Sequence, residues 1–430
     1  MPIHTVTRGQ SIWQISRIYN VPYQIIAEAN GLIPPYTLVI GQSLYIPRVS
    51  RRHVVKPGES LWSISRQYNV PIDSILDVNP IESPQAIYPG QVLIIPAETN
   101  LFGTIQVNAY IEPAGSPAQE LELVREVDDY LTYLSIFSYR VTETGTLLAP
   151  PNAQALVTAA RNNRVAPLMV ITNFRGGTFD TELARVILNN LEIQETLITN
   201  ILQTLRTNNY SGVNVDFERV APADRDRYTA FLRRLRDRIK PAGFILSTAL
   251  APKVSAAQVG AWYEAHDYGA HGVIADFVII MTYEWGWSGG PPMAVAPINQ
   301  VRRVLDYAIT VIPRRKIMMG MPLYGYDWTL PYVSGGPFAR RVSPVQAVQI
   351  ASRYGAEIQY DQTAQSPYFR YYDAQRKQHI IWFEDPRSVL AKFRVANEYG
   401  LRGVSYWVLG SAFPQNWLML EDYFNIEKII

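Results

Sequence analysis

The chain has 430 residues, 48% of them hydrophobic, with 26 Gly and 30 Pro, which is enough for two or more globular domains and excludes a disordered chain. Lys and Arg total 39 against 37 Asp and Glu; the first 97 residues carry 7 basic and 5 acidic groups, leaving 32 of each, so neither part is basic enough to target nucleic acid or an anionic membrane. Cysteine is absent and only five His occur, which removes disulfides, thiolate nucleophiles and thiolate metal sites, and no stretch approaches the roughly 20 apolar residues of a membrane span.

The start, Met1 to Gln10, has no apolar signal-peptide core, so ordinary secretory export is not expected. The N-terminal part then repeats itself with an offset of 49: Gly9-Gln10-Ser11-Ile12-Trp13 lies over Gly58-Glu59-Ser60-Leu61-Trp62, Tyr19-Asn20-Val21-Pro22 over Tyr68-Asn69-Val70-Pro71, and Ile46-Pro47 over Ile95-Pro96. Each copy, 1–48 and 50–97, reads as strand, Gly turn, short helix capped by Ser11 or Ser60, second helix after a Pro, and closing strand. This βααβ pattern resembles the LysM module. The resemblance implies binding of glycans that contain N-acetylglucosamine, in grooves near Gly9, Gln10, Ser11 and Ile33 to Pro35, and near Gly58, Glu59, Ser60 and Ile81 to Pro84. Trp13 and Trp62 read as core, and the two copies as independent beads that add avidity, joined to the rest near Ala97 to Asn100.

From about Leu101 the texture changes. Eight apolar strands are expected at Gly103 to Tyr110, Tyr133 to Tyr139, Ala166 to Thr172, Gly212 to Glu218, Phe244 to Ala249, Phe277 to Tyr283, Lys316 to Pro322 and Gly403 to Leu409, alternating with helical patterns such as Glu182 to Asn208 and Ala223 to Lys240. That order predicts an α/β fold, a TIM (β/α)8 barrel over 101–430, with a small α+β insertion at about 326–382 on the active face. Trp285 and Trp287, among Gly286, Gly289, Gly290 and two prolines, read as a mobile aromatic loop, and Glu384 and Asp385 as helix caps.

The fourth strand is the most informative. Alternation puts Asn214, Asp216 and Glu218 on one face and Val213, Val215 and Phe217 on the other, with the two acids about 7 Å apart. Such a pair is costly inside a protein, and their proximity holds one of them protonated near neutrality, as a general acid requires. Aromatic groups at other strand ends converge on it: Met281-Thr282-Tyr283-Glu284-Trp285, Met321-Pro322-Leu323-Tyr324-Gly325-Tyr326, and Tyr406-Trp407. Such a cup holds a sugar by stacking.

At these residues the chain resembles the family 18 glycoside hydrolases. Of their Asp-x-x-Asp-x-Asp-x-Glu signature the last two acids match, at Asp216 and Glu218, while Ser211 and Asn214 depart from it; the strand-three Ser-x-Gly-Gly is replaced by Thr172-Asn173-Phe174-Arg175-Gly176-Gly177. The resemblance implies catalysis by Glu218, Asp216 and Tyr283 without an enzyme nucleophile, metal or cofactor, on a sugar held by Trp407, Met281 and Asn214. By their places at strand ends, Tyr110, Tyr324, Tyr326 and Asp327 read either as further lining or as packing. Asn214 in place of an acid predicts a shifted pH profile. The whole architecture resembles the spore cortex-lytic N-acetylglucosaminidases of bacilli, which implies peptidoglycan as partner and the spore as location. A chitinase and a non-catalytic lectin are the alternatives.

Overall fold

The computed structural model describes residues 3–68, 70–81, 83, 86–97 and 101–430; residues 98–100 of the expected join, and 82 and 84 of the second groove, lie outside them. Eight parallel strands close a barrel: β1 (Thr104–Ile111), β2 (Tyr133–Val141), β3 (Ala166–Thr172), β4 (Gly212–Asp216), β5 (Ile245–Leu250), β6 (Phe277–Ile280), β7 (Ile317–Pro322) and β8 (Gly403–Trp407). Each pairs with the next, and β8 pairs with β1. The strands are near-continuous apolar runs because helices cover them outside while side chains fill the barrel inside. At mid-height the interior is polar but neutral: Asn108 on β1 receives a hydrogen bond from Ser135 and donates one to Ser405, and Asn214 on β4 donates to Ser247.

The strands β4, β6 and β8 stop two or three residues short of their expected ends. At β4 the cause is a side chain, since Asn173 takes both the N–H and the C=O of Glu218 and leaves neither for a ladder. The long helix expected at Glu182 to Asn208 is two, Thr181–Asn189 and Leu191–Thr207, because the Asn190 side chain accepts from the N–H of Glu192 and Ile193 and caps a new start.

Between β7 and β8 lies a five-stranded antiparallel sheet (Gly325–Thr329, Arg340–Val342, Gln359–Asp361, Ser366–Tyr372, Gln378–Trp382) with a helix, Pro344–Tyr354, and a core of its own around Ala347, Ile358, Phe369 and Ile381. Asp385 caps the following helix through a capping box with Ser388. Glu384 does not cap: its carboxylate is buried against Lys392 at 2.8 Å.

Both N-terminal copies fold as expected, each a two-stranded antiparallel sheet with two helices. Two expectations fail. Trp13 and Trp62 are 54% and 65% exposed, because the apolar side of each helix is taken by Ile12 and Ile15 or Leu61 and Ile64; Trp13 lies on Tyr23 and Trp62 beside Arg66. Nor is the first copy an independent bead. Val39 enters the core of the insertion, the Ile358 N–H bonds Ile40 O at 2.9 Å, Arg387 bonds Gly41 O at 3.2 Å, and the Tyr45 hydroxyl donates to buried Asp422. The second copy closes its core on itself around Leu61, Ile64 and Leu93, and among the described residues no hydrogen bond or ion pair leaves it.

Gly41 and Gly90 occupy the same turn of the two copies, with φ of 81° and 88°, yet a Cβ at Gly41 would sit 1.8 Å from Ile358 O while one at Gly90 would meet nothing. Both alanine variants carry the left-handed backbone cost of about 1 kcal/mol, and only Gly41→Ala also pushes the first copy off the barrel. Calorimetry should show a larger loss of Tm for Gly41→Ala in the transition of the catalytic unit, and equal small losses would mean that the first copy is undocked in solution.

Candidate active site

Asp216 ends β4, and Glu218 follows at the mouth of the barrel; they are 4% and 8% exposed, and neither forms an ion pair with a described cation. Burial pushes the Asp216 carboxyl up. Burial and the Asp216 charge together push Glu218 well above the ordinary carboxylate range, with Glu284 adding to the rise and Arg219 opposing it. The pair therefore passes through a form with Asp216 ionised and Glu218 protonated. Tyr283 and Tyr110 are pushed up by burial and by the same carboxylates, which keeps both phenols neutral as hydrogen-bond donors. The Tyr110 hydroxyl donates to Asn214 Oδ1 at 3.0 Å, so Asn214 is fixed from both sides, by Tyr110 and by Ser247 at 2.9 Å.

The backbone that carries Glu218 is clamped by two residues that sequence reasoning did not assign. Asn173, at the end of β3, accepts from Glu218 N–H at 3.0 Å and donates to Glu218 O at 2.9 Å. His266 is fully buried; its Nδ1 accepts from Ala251 N–H at 2.8 Å, so Nε2 carries the proton and donates to Phe217 O at 3.0 Å. Burial pushes this imidazole down to about 4, so it stays neutral through the working range and adds no charge beside the acids. Asn173 had a signal, since it stands where the family places Ser-x-Gly-Gly; His266 had none. After the clamp the chain turns through Arg219 in the left-handed region, φ 52°.

Above the acids lies the aromatic cup. Trp407 at the end of β8 is held edge-on by Tyr110 and Phe137, with ring centroids 5.3 and 5.1 Å away. Gly320 on β7 lets the Tyr283 ring lie close, since a Cβ there would meet that ring and Ile280 O at 2.7 Å. Met281 follows β6, partly buried. Tyr324 and Tyr326 are buried, and both donate to Glu284 Oε1, Tyr326 at 3.0 Å, so they brace a third carboxylate beside the pair, on a residue with φ 66°.

Three expectations change. Asp327 is not free to line the cleft: Arg340 at 3.2 Å, Tyr371 at 2.8 Å and His379 at 2.9 Å occupy its carboxylate, which ties the insertion sheet together. The aromatic loop is fastened rather than loose, with Trp285 N–H on Val295 O, Gly286 N–H on Ala294 O, Ala339 N–H on Ser288 O and the Trp328 indole on Gly290 O; its tip, Trp287, is 46% exposed. In the repeats, Gln10 and Glu59 bind His4 and His53 within their own turns, Ser11 and Ser60 cap helices, and Gly9 and Gly58 hold φ of 79° and 84°. These six residues build the turns, and Ile33 on a neighbouring loop is exposed.

Asn173→Ala leaves the buried N–H and C=O of Glu218 unpaired and frees the acid to drift. A fall of about 10- to 100-fold in kcat with KM little changed is expected, and a KM effect alone would remove Asn173 from this role. Asn214→Asp places another negative charge beside Asp216 and raises that carboxyl further. With Asp216 working ionised, as the family resemblance implies, the acid limb of the rate profile should move to higher pH, and a shift to lower pH would contradict that role.

Comparison with known proteins agrees with this geometry. Residues 118–412 match Glycosyl hydrolases family 18, and residues 4–47 and 53–96 each match the LysM domain. The chain is 52% identical over 432 residues to a cortical fragment-lytic enzyme of Bacillus subtilis, covering 100% of this chain and 99% of that one. The crystal structure of the spore cortex-lytic enzyme SleL of Bacillus megaterium superposes with a TM-score of 0.86 at 44% identity, over 100% of this chain and 99% of that one. A chitinase of Chromobacterium violaceum, at 25% identity and a TM-score of 0.68, covers 74% of this chain and 99% of its own. On the extent of these matches, the chain belongs to the family 18 glycosyl hydrolases, with two LysM domains ahead of its catalytic barrel.

Proposed function

We propose that this protein hydrolyses N-acetylglucosaminyl bonds in peptidoglycan, above all in fragments of spore cortex, with retention and with the acetamido group of the substrate as nucleophile. The observation that carries this reading is the setting of Asp216: its Oδ1 is buried with no hydrogen-bond partner among the described residues, beside Glu218, whose carboxyl is pushed well up by burial and the Asp216 charge, and Tyr283, whose phenol is pushed up the same way. That oxygen suits an acceptor whose bond is completed by the acetamido N–H. Glu218 gives its proton to the glycosidic oxygen as the bond to C1 breaks, and the acetamido carbonyl oxygen closes on C1 to form an oxazolinium ion. Asp216 holds the N–H and its growing positive charge, Tyr283 orients the carbonyl, and Trp407 floors the sugar. Glu218, now a carboxylate, takes a proton from the water that opens the ring at C1.

Cortex as substrate is supported by full-length similarity to enzymes named for it, and by the LysM domains, whose ligands contain N-acetylglucosamine. The chemistry agrees, because muramic-δ-lactam has no N-acetyl group to act as nucleophile and N-acetylglucosamine does. Location in the spore is supported by the same relatives; among the described residues no helix is long and apolar enough to cross a membrane. A lectin is disfavoured by the intact Asp216, Glu218 and Tyr283.

Glu218→Gln keeps the shape of the acid and removes its transferable proton, so turnover of cortex fragments should fall by about 10²- to 10⁴-fold while glycan binding persists. Mass spectrometry of the products should show N-acetylglucosamine at the new reducing ends, and a thiazoline mimic of the oxazolinium should inhibit competitively. New reducing ends on muramic acid, or turnover by the variant above about a tenth of wild type, would refute the proposal.

A further inference from the structure

Arg340 and Arg341 are adjacent on one short strand of the insertion and have different fates. Arg340 binds Asp327 at 3.2 Å, inside the sheet. Arg341 faces Tyr326 across the strand pair and lays its guanidinium over Tyr324, 4.2 Å from the ring centroid. Those two tyrosines are the ones that brace Glu284 next to the catalytic pair. Arg341 is exposed, and its guanidinium has no hydrogen bond or ion pair among the described residues. It therefore offers a guanidinium fork, steadied from behind by an aromatic face, at the wall of the cleft.

The charges around it make this placement selective. Asp216, Glu218, Glu284 and Glu112 line or adjoin the cleft, and the Arg341 guanidinium opposes the rise that burial imposes on Glu284 and Glu112. Arg219, the cation that acts on Glu218, is engaged elsewhere, stacked on Trp262 at 4.8 Å and bonded to Thr178 at 3.3 Å. A neutral polymer of N-acetylglucosamine needs no cation here. An acidic glycan approaching this ring of carboxylates would be repelled unless one open cation received its charge, and a planar guanidinium matches a carboxylate with two parallel hydrogen bonds.

We propose that Arg341 binds a carboxylate carried by the sugar next to the cleaved N-acetylglucosamine, the lactyl group of a muramic residue or the peptide attached to it, and so favours acidic glycan over a neutral one of equal length. This rests on the peptidoglycan reading above. The alternative is that Arg341 only balances Glu284 and Glu112, in which case its loss weakens turnover of every substrate alike.

The test uses the full chain and one defined peptidoglycan oligosaccharide in two forms, with its carboxylates free and with them amidated. The wild type should prefer the free acid in kcat/KM. Arg341→Gln should reduce that acid-to-amide preference by about 10- to 100-fold, chiefly through KM, and Arg341→Lys should restore only part of it because a point charge lacks the fork. The wild-type preference should also shrink as salt is raised. Circular dichroism and Tm confirm that the exposed substitution leaves the fold intact. A preference unchanged in Arg341→Gln, or equal losses on both forms, overturns the carboxylate site while leaving peptidoglycan as substrate. A wild type that cleaves chito-oligosaccharides but neither form of the fragment overturns the peptidoglycan reading itself.

Discussion

Two carboxyl groups buried side by side, with no described cation paired to either, are the constraint around which the rest of the barrel is arranged. An ion pair would lower both acids and make Glu218 a permanent carboxylate, useless as a proton donor. The fold instead surrounds the pair with neutral groups: the Asn173 amide and an imidazole that burial keeps uncharged hold the backbone at Glu218 and Phe217, while the Tyr283 phenol and the Tyr110–Asn214–Ser247 chain lie beside it. Each supplies direction without charge. Stability is sacrificed for this, since a carboxyl whose pKa is raised on folding binds its proton more tightly in the native state, and that contribution is lost as pH rises through the raised values.

The insertion between β7 and β8 works on the same site from outside the barrel. Its sheet is locked at Asp327, where an arginine, a tyrosine and a histidine meet one carboxylate, and that lock fixes where Tyr326 and Arg341 stand. Its strand also carries Trp328, whose indole fastens the loop bearing Trp287. The cleft wall is thus a rigid sheet with an aromatic rim, which suits a polymer that is itself stiff.

The barrel was legible because each buried parallel strand is a dense apolar run, and the acid pair because alternation placed Asp216 and Glu218 on one face before any fold was known. What escaped notice depends on distant contacts. Nothing around His266 in the chain points at the Phe217 carbonyl, and Arg341 differs from Arg340 only in which side of a three-residue strand it takes. Trp13 and Trp62 misled because each reads as part of the apolar side of a short helix, whereas the inward positions go to the isoleucines and leucine near them. Asp327 misled because it follows a strand end, where side chains commonly face the cleft, whereas here it lies in the first strand of the insertion sheet, which uses its carboxylate.

The docking of the first repeat alters what counts as a module in this chain. By sequence the two copies are equals, and a shuffling event could exchange or multiply either. In the fold, the first has traded its freedom for a seat against the insertion and the Pro414–Tyr423 helix, so barrel and repeat now constrain each other's surface residues. Duplication, loss or replacement is cheap only for the second copy. Lineages that lengthen or shorten such a glycan-anchoring array should therefore do so between Pro47 and the barrel, leaving the outermost repeat, the one nearest the N-terminus, as the part that cannot be spared.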